Sequence, residues 1–303
     1  MKNIAASVHQ RLLNIASVEG SDFNATVLRY ANERFLARLT ASRHGDSFVL
    51  KGATMFLVWM GTSPRRTRDL GLLGFGAPTA DRLVPIFREI LGAEVEEDGL
   101  LFYPETVRGA PIREERSYLG LRLSFDGVIG RMRVPMQVDV GFGDGVYPEP
   151  AMVVIPPLLG HAAPRLRGYA METSIAEKFA AMLEHGVANS RMKDYFDIWL
   201  LSERFDFDHR LIRAVQETLL RRRLEVPQQA SFGLTEDFAT DLAKQMQWRG
   251  FVRKAAVDSG LTLAVVVGRA RELLAPVWAG HGGERWERGG PWKSSSPSID
   301  QLR

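Results

Sequence analysis

The segment FVLKGATMFL, residues 48–57, contains the end of an apolar strand at Leu50 and the start of an amphipathic helix after Thr54. Gly52 lies in the turn between them. Such a turn exposes backbone N–H groups at a helix N-terminus, where these donors and the helix dipole stabilise an anion. An ordinary N-cap gives the same pattern, and from this segment alone we favour that simpler interpretation.

A single acid follows on the next predicted strand. The segment RRTRDLGLLG, residues 65–74, places Asp69 among apolar neighbours. Residues i and i+2 of a strand point to one face, so acids at 69 and 71 would chelate a hard cation together. Position 71 is Gly71, which costs the strand about 0.5–1 kcal/mol relative to alanine with no visible packing benefit. Alternatively, Asp69 is an edge-strand carboxylate paired with Arg66 or Arg68.

A predicted β-hairpin supplies a second acid. Apolar and polar residues alternate over 119–125, an Asp-Gly turn is predicted at 126–127, and alternation resumes over 134–140. Asp139 lies on the non-apolar face of the second strand. If this strand neighbours the one after Asp69, both carboxylates converge beside the glycine turn and combine metal ligands with a phosphate cradle.

Charged residues within apolar helices stand out in the C-terminal half. Residues 174–177, Ser-Ile-Ala-Glu, have the pattern of a capping box that opens a helix. Lys178 lies off the apolar stripe of that helix, where it could neutralise a triphosphate. Alternatively, Lys178 is a solvated lysine. On a later helix, Lys193 and Asp197 have the spacing of an ordinary intrahelical ion pair, with Asp194 beside them.

Composition excludes several classes of site. The 303 residues are 45% hydrophobic and 25% charged, as in an ordinary soluble globular protein. There is no cysteine, which excludes disulfides, thiolate nucleophiles and cysteine-ligated zinc. The histidines lack zinc spacing, so any metal has oxygen ligands, which favours magnesium or manganese. With neither a secretory signal nor a membrane-length apolar segment, we expect a cytoplasmic protein with no membrane partner.

Basic residues are concentrated in the C-terminal half, although the net charge is only +3. A basic face there would contact RNA phosphates, but a solvated helix surface is the commoner meaning of such a run. The residues concerned are Arg210, Arg213, Arg221, Arg222, Arg223, Lys244, Arg249, Arg253 and Lys254.

Helical and strand-like segments divide the chain into four parts. Residues 1–46 are predicted to form helices that pack on the core, and 47–160 a lobe of short strands. A helical lobe is predicted over 161–279. The tail, 280–303, is rich in glycine, serine and proline, and we expect it to be disordered.

Five motifs in order resemble the AbiEii/AbiGii family of nucleotidyltransferase toxins, which belong to bacterial abortive-infection and type IV toxin–antitoxin systems. The motifs are LKGAT (50–54), RTRDLGLLGFG (66–76), QVDVGFGD (137–144), AEKF (176–179) and SRMKDYFD (190–197). The resemblance implies an α+β fold. A nucleotidyltransferase-type mixed β-sheet lobe would be followed by an all-α C-terminal lobe, with substrate in the cleft between them.

The same resemblance implies the chemistry. Family members transfer a nucleotide from a nucleoside triphosphate to an acceptor, with tRNA 3′ ends the best-known target, and so would block translation in phage defence. The implied cofactor is Mg²⁺ or Mn²⁺. The implied protein partner is a cognate antitoxin, expected to be a winged-helix DNA-binding protein.

Roles for individual residues follow from the matched motifs. Asp69 would ligate both metals, Asp139 the metal that activates the attacking hydroxyl, and Asp194 would orient the nucleotide or the acceptor. The implied catalytic residues are Asp69, Asp139, Lys178 and Asp194. The implied nucleotide- or phosphate-binding residues are Lys51, Gly52, Thr54, Lys178 and Lys193.

The chain departs from the family at Gly71, where members have the second aspartate of an Asp-x-Asp pair. Two ions bridged by shared carboxylates need that ligand, and its loss should weaken one ion by more than the roughly 10–100-fold attributed to outer partners. Unless Asp144 or a water molecule substitutes for the missing ligand, we expect severe loss of transfer while triphosphate binding partly survives. Two alternatives stay open: an inactive pseudo-enzyme that binds nucleotide, RNA or antitoxin, and an enzyme that attaches AMP to a protein hydroxyl.

Overall fold

The structure, a computed structural model, describes residues 3–67, 69–112, 120–257, 260–280 and 284–294. The chain divides into two compact units. Unit 1 comprises Met1–Asp144 and Pro150–Tyr169, and unit 2 comprises Gly145–Glu149 and Ala170–Arg303.

Unit 1 is built on a seven-stranded sheet with the strand order β3-β4-β5-β2-β1-β7-β6. Its strands are β1 Phe48–Lys51, β2 Leu70–Gly74, β3 Leu100–Pro111, β4 Gly120–Ile129, β5 Met132–Phe142, β6 Ala151–Val154 and β7 Arg165–Gly168. The β2–β5 and β1–β7 pairs are parallel, and the other four pairs are antiparallel. The predicted mixed sheet of an α+β protein is therefore confirmed.

Four helices accompany this sheet: α1 Ile4–Glu19, α2 Phe23–Ala41, α3 Met55–Met60 and α4 Ala80–Leu91. Helix α2 is the central one, because every residue from Tyr30 to Leu39 is buried. The ring of Phe35 stacks on Phe87 of α4 with centroids 5.6 Å apart. Apolar burial of this kind contributes about 25 cal/mol for each Å² removed from water, so α2 anchors the unit 1 core.

A buried ionic group fixes α2 to the residues before β3. Arg34 and Arg38 contact the Asp98 carboxylate at 2.8 and 2.7 Å. Burial raises the pKa of Asp98, but the bonds from Arg38 and Arg34 outweigh it and hold that pKa below its ordinary value. The carboxylate therefore stays ionised inside the unit.

The β4–β5 hairpin turns later than predicted. Its register continues to the pair Ile129↔Met132, so the turn consists of Gly130 and Arg131, whereas 126–127 lie within β4. Gly130 has φ +61°, as tight hairpin turns require. Gly127 is glycine for a different reason, since a Cβ there would lie 2.9 Å from the Phe102 ring. The glycine of this Asp-Gly pair is therefore explained by close packing against Phe102, and not by a turn.

Unit 2 is mainly helical. Its helices are α5 Met171–His185, α6 Met192–Arg204, α7 His209–Arg222, α8 Glu236–Thr240, α9 Leu242–Ala255, α10 Leu263–Leu274 and α11 Pro276–Ala279. Helix α5 begins at Met171, one turn before the predicted capping box, and Ser174 is buried within it. None of the helices in the described part of the chain combines the length and apolar character that a membrane span needs.

Two strands interrupt the predicted all-α lobe of 161–279: β7, which belongs to the unit 1 sheet, and the two-residue strand β8 Phe207–Asp208. Two further two-residue strands, β9 Arg285–Trp286 and β10 Trp292–Lys293, correct the expectation of a disordered tail at residues 284–294. Trp286 is fully buried, and its indole N–H donates to the Ser202 carbonyl at 3.0 Å. One buried tryptophan removes enough apolar surface from water to hold this segment in place, although its glycine-rich composition is typical of disorder. Residues 281–283 and 295–303 of the predicted tail lie outside the described residues.

Candidate functional site

Four positions on four adjacent strands of the unit 1 sheet lie side by side, and we call this set, Lys51, Gly71, Asp139 and Arg122, the row. Lys51 of β1 is the register partner of Gly71 in β2, Gly71 is the partner of Asp139 in β5, and Asp139 is the partner of Arg122 in β4. Directly paired positions on neighbouring strands present their side chains to the same face. The strands beside Asp69 and Asp139 are neighbours, which was the condition for the two carboxylates to converge, and Asp69 directly precedes β2.

Lys51 is held at one end of the row by a buried acid. Its Nζ lies 2.5 Å from Oδ2 of Asp144, and the Tyr169 hydroxyl donates to the same oxygen at 2.9 Å. The ammonium also lies 5.7 Å from the centre of the Tyr169 ring, within range of a cation–π contact. The lysine therefore has a fixed position beside the glycine turn.

The predicted turn after β1 is present. Gly52 adopts φ +75°, a left-handed conformation that favours glycine, and Gly52–Thr54 form a single 3₁₀ turn before α3. Thr54 is buried and its side chain makes no capping hydrogen bond to α3. The turn is therefore not an ordinary N-cap in which a side chain bonds to the first turn of the helix.

Asp139 forms a two-bond ion pair with Arg122, which the sequence analysis did not single out. Nε and Nη2 of Arg122 each donate at 2.8 Å to a different Asp139 oxygen. With its amide oxygen turned toward the guanidinium, Gln137 also accepts from Nε at 2.9 Å. In the sequence, Arg122 was visible only as one of the polar residues that alternate along β4. Its pairing with Asp139 could not be predicted, because it depends on the register between β4 and β5.

Gly71 has a packing role that the sequence analysis did not foresee. A Cβ at this position would lie 3.0 Å from the Lys51 carbonyl oxygen and 3.5 Å from the Lys51 Cγ. Side chains larger than hydrogen therefore require β1 and β2 to move apart by a few tenths of an ångström. The expectation that Gly71 brings no packing benefit was wrong, because the close approach involves a strand 20 residues away in the chain.

The sequence offered Asp69 two alternative ion-pair partners, Arg66 and Arg68. Arg66 is exposed, and no ion pair joins it to Asp69 within the described part of the chain. Arg68 lies outside the described residues. Asp69 itself is half-buried at the entrance to β2.

These acids fit a two-ion centre poorly. In the described ranges, no group of three or more His, Asp or Glu side chains is arranged to hold a metal ion. Position 71 offers no carboxylate, and both oxygens of Asp139 are engaged by Arg122. A bridged pair of ions needs shared carboxylates, so the predicted ligand set of Asp69 and Asp139 is incomplete.

Unit 2 gathers a second group of predicted residues. Nζ of Lys178 in α5 lies 3.0 Å from Asp194 and 2.7 Å from Asp197, both in α6. Nε of Arg191 contacts the other Asp194 oxygen at 2.7 Å. The carboxylates of Asp194 and Asp197 are 1% and 0% exposed, so Lys178 is a half-buried ion-pair partner of two buried acids and not a solvated lysine.

Charge keeps Asp194 ionised despite its burial. Burial raises the pKa of Asp194, but the positive charges of Lys178, Arg191 and Lys193 outweigh that effect and hold the pKa well below its ordinary value. The predicted pair between Lys193 and Asp197 is replaced by the contact of Asp197 with Lys178. Lys193 is half-buried and contributes to the field at Asp194.

Structural ion pairs account for part of the basic run in unit 2. Arg210 contacts Asp208, Arg213 contacts Glu217, and Arg222 contacts Glu177 and Glu184. The buried Lys244 donates to the Asn189 carbonyl. The exposed cations of α9 are Arg249, Arg253 and Lys254.

Comparison with known proteins identifies one family. Residues 34–265, from within α2 to within α10, match the model of the nucleotidyl transferase AbiEii toxin family, a type IV toxin–antitoxin system. A "putative nucleotidyltransferase from H. pylori" of known crystal structure is 13% identical, with a TM-score of 0.47, over 83% of this chain and 94% of that chain. The crystal structure of JHP933 from Helicobacter pylori is 12% identical, with a TM-score of 0.46, over 82% and 90% of the two chains. No curated protein matches this chain.

Proposed function

This chain belongs to the nucleotidyl transferase AbiEii toxin family, and we propose that it binds a nucleoside triphosphate and transfers a nucleotide to an RNA acceptor, the 3′ end of a tRNA. In that reaction the acceptor hydroxyl oxygen bonds to the α-phosphorus, and the bond from that phosphorus to the β-phosphate oxygen breaks. Pyrophosphate leaves and the hydroxyl proton passes to water. A tRNA with extra nucleotides at its 3′ end cannot carry an amino acid to the ribosome. Translation would therefore stop, which explains how such an enzyme would act as a toxin.

The row on the unit 1 sheet is the observation that carries this proposal. It places Lys51 and the Gly52–Thr54 turn beside the positions of Gly71 and Asp139. In the proposed site, Lys51 supplies a positive charge and the turn supplies close backbone approach to the triphosphate. Nucleotidyl transfer generally uses a divalent cation, Mg²⁺ or Mn²⁺, but these roles of Lys51 and the turn do not depend on one.

In unit 2 we assign Lys178 and Asp194 to the nucleotide or the acceptor. Arg191 and Lys178 fix the Asp194 carboxylate between them, and Lys193 adds positive charge that suits a phosphate. A type IV toxin family implies an antitoxin partner, and we propose one of the winged-helix DNA-binding type. An adjoining gene for such a protein would support this partner, and an unrelated neighbour would count against it.

Restoring the missing acid tests the proposed reaction. We expect Gly71→Asp to incorporate labelled nucleotide into tRNA in the presence of Mg²⁺, at least about tenfold faster than the unsubstituted chain, because even the loss of a residue that only supports a metal ligand costs about 10–100-fold in affinity or activity. Gly71→Ala is the matched control, since it adds the Cβ without the carboxylate. If folded Gly71→Asp incorporates nothing from any of the four triphosphates into a full tRNA pool, transfer to tRNA is wrong.

A second candidate function is binding without transfer. The combination of Gly71 with an Asp139 whose oxygens contact Arg122 favours it, because neither feature suits a two-ion reaction. Calorimetry beside the transfer assay separates the two candidates. A pure binder holds triphosphate or RNA without turnover both before and after the Gly71→Asp change.

A further inference from the structure

Arg122 places a positive charge at Asp139, the position where a nucleotidyltransferase would be expected to hold a metal ion. Its guanidinium contacts the carboxylate through two bonds of 2.8 Å, one to each oxygen. Hydrogen bonds between charged groups in this forked arrangement are among the stronger polar contacts in proteins. The side chains are 39% and 21% exposed, so a ligand from solvent can reach the pair.

The neighbours of this pair offer little to a competing metal ion. An ionised carboxylate only accepts, and the oxygens that a cation would use at Asp139 are those that Arg122 already contacts. On the other side of Asp139 lies Gly71, which has no ligand atom in its side chain. A divalent ion at Asp139 would therefore have to bind beside a guanidinium of like charge, without the help of a second acid at position 71.

From this arrangement we infer that Arg122 is the resident cation at Asp139 and sets the affinity of this carboxylate for divalent metal. The inference rests on the proposed function only in taking the row as a nucleotide site. It concerns the occupancy of Asp139 and does not require that any nucleotide be transferred. Arg122 is thus a residue that acts through Asp139, and removing its charge should open the carboxylate to a metal ion.

The same hairpin contains a matched control. Arg133 forms an equivalent forked pair with Asp126, with bonds of 3.0 and 2.9 Å, and its side chain is 73% exposed. That pair lies at the turn end of the hairpin, away from the register partners of β2. Substituting Arg133 therefore removes the same kind of contact from the same two strands without touching the row.

The experiment measures Mn²⁺ binding to the full chain by electron paramagnetic resonance and by calorimetry. We expect Arg122→Gln to bind Mn²⁺ about tenfold more tightly than the unsubstituted chain, because a like charge next to the site is removed. Arg133→Gln should bind as the unsubstituted chain does. Adding Asp139→Asn to Arg122→Gln should abolish the gain.

Arg122→Lys guards against a folding defect, with circular dichroism as the measure of folding. Lysine keeps the charge but loses the fork, so a gain smaller than that of Arg122→Gln is expected. Equal Mn²⁺ affinity in Arg122→Gln, Arg122→Lys and the unsubstituted chain would overturn the inference, as would a gain that survives Asp139→Asn. Absence of nucleotide transfer by Gly71→Asp contradicts the proposed function alone, because the Mn²⁺ comparison needs no transfer.

Discussion

Gly71 illustrates how one position can be constrained twice. Its lack of a side chain removes a potential metal ligand, and the same lack permits the Lys51 carbonyl to lie 3.0 Å from where a Cβ would be. The two constraints oppose each other, since restoring the acid for chemistry crowds the pairing of β1 with β2. Stability and activity should therefore respond differently to the same substitutions.

We expect Gly71→Ala and Gly71→Asp both to lower the free energy of unfolding by about 1–2 kcal/mol, because the added Cβ overpacks a paired strand. The entropy gained by replacing glycine offsets only part of this cost. Urea denaturation is the measurement, with Gly268→Ala as control, because a Cβ at Gly268 in α10 meets nothing within 4 Å. A Gly71→Ala protein as stable as the original chain would show that the contact is harmless.

Asp194 should make the stability of unit 2 depend on pH. Its folded pKa is held below the ordinary value of 3.8 by Lys178, Arg191 and Lys193, despite burial. The stabilisation is therefore present above about pH 4 and is lost as the pH falls toward the folded pKa, because only the unfolded chain takes up the proton there.

The expected outcome is that the unfolding free energy falls between pH 5 and pH 3, and that Asp194→Asn reduces this slope while lowering stability at neutral pH. Urea midpoints across this pH range, at about one-unit steps, provide the measurement. Glu225→Gln, at an exposed acid of the same unit, serves as control. An unchanged slope in Asp194→Asn would contradict the assigned cause.

At the scale of elements, the C-terminal segment is the main surprise. Strands β9 and β10 hold Trp286 and Trp292, whose rings meet edge to face with centroids 6.0 Å apart. The guanidinium of Arg269 in α10 lies 5.8 Å from the Trp286 ring centre. Local composition pointed to disorder here, yet two tryptophans tie the segment to the helices of unit 2.

Trp286→Ala should lower the free energy of unfolding of unit 2 by about 3–5 kcal/mol, because it leaves a large cavity and removes one of the two hydrogen bonds that the Ser202 carbonyl accepts, the other coming from the Gly289 N–H. Thermal unfolding followed by near-ultraviolet circular dichroism would measure this. Lys293→Ala, at an exposed position of the same segment, should change the midpoint little. A Trp286→Ala midpoint equal to that of Lys293→Ala would contradict the packing role.

Over the described part of the molecule, many charges have a structural use. Among the 39 basic and 36 acidic residues of the chain, several form specific ion pairs, including the buried Asp98 group in unit 1 and the Lys178 group in unit 2. The basic run in the sequence suggested a face for RNA, but Arg222 and Lys244 are committed to internal contacts. Net charge and runs of like charge therefore say less about ligands than the pairing of individual side chains.

Local patterns along the chain were enough to predict the α+β class, the family and the glycine turn after β1, because hydrophobic periodicity, turn residues and ordered motifs are properties of neighbouring residues. The same patterns indicated that Asp139 lies on a polar strand face. Three contacts could be seen only in the fold: Arg122 pairs with Asp139, Lys178 contacts both Asp194 and Asp197, and Gly71 faces the Lys51 carbonyl. Such contacts depend on strand register and on helix packing between residues far apart in the chain, and sequence spacing does not encode either.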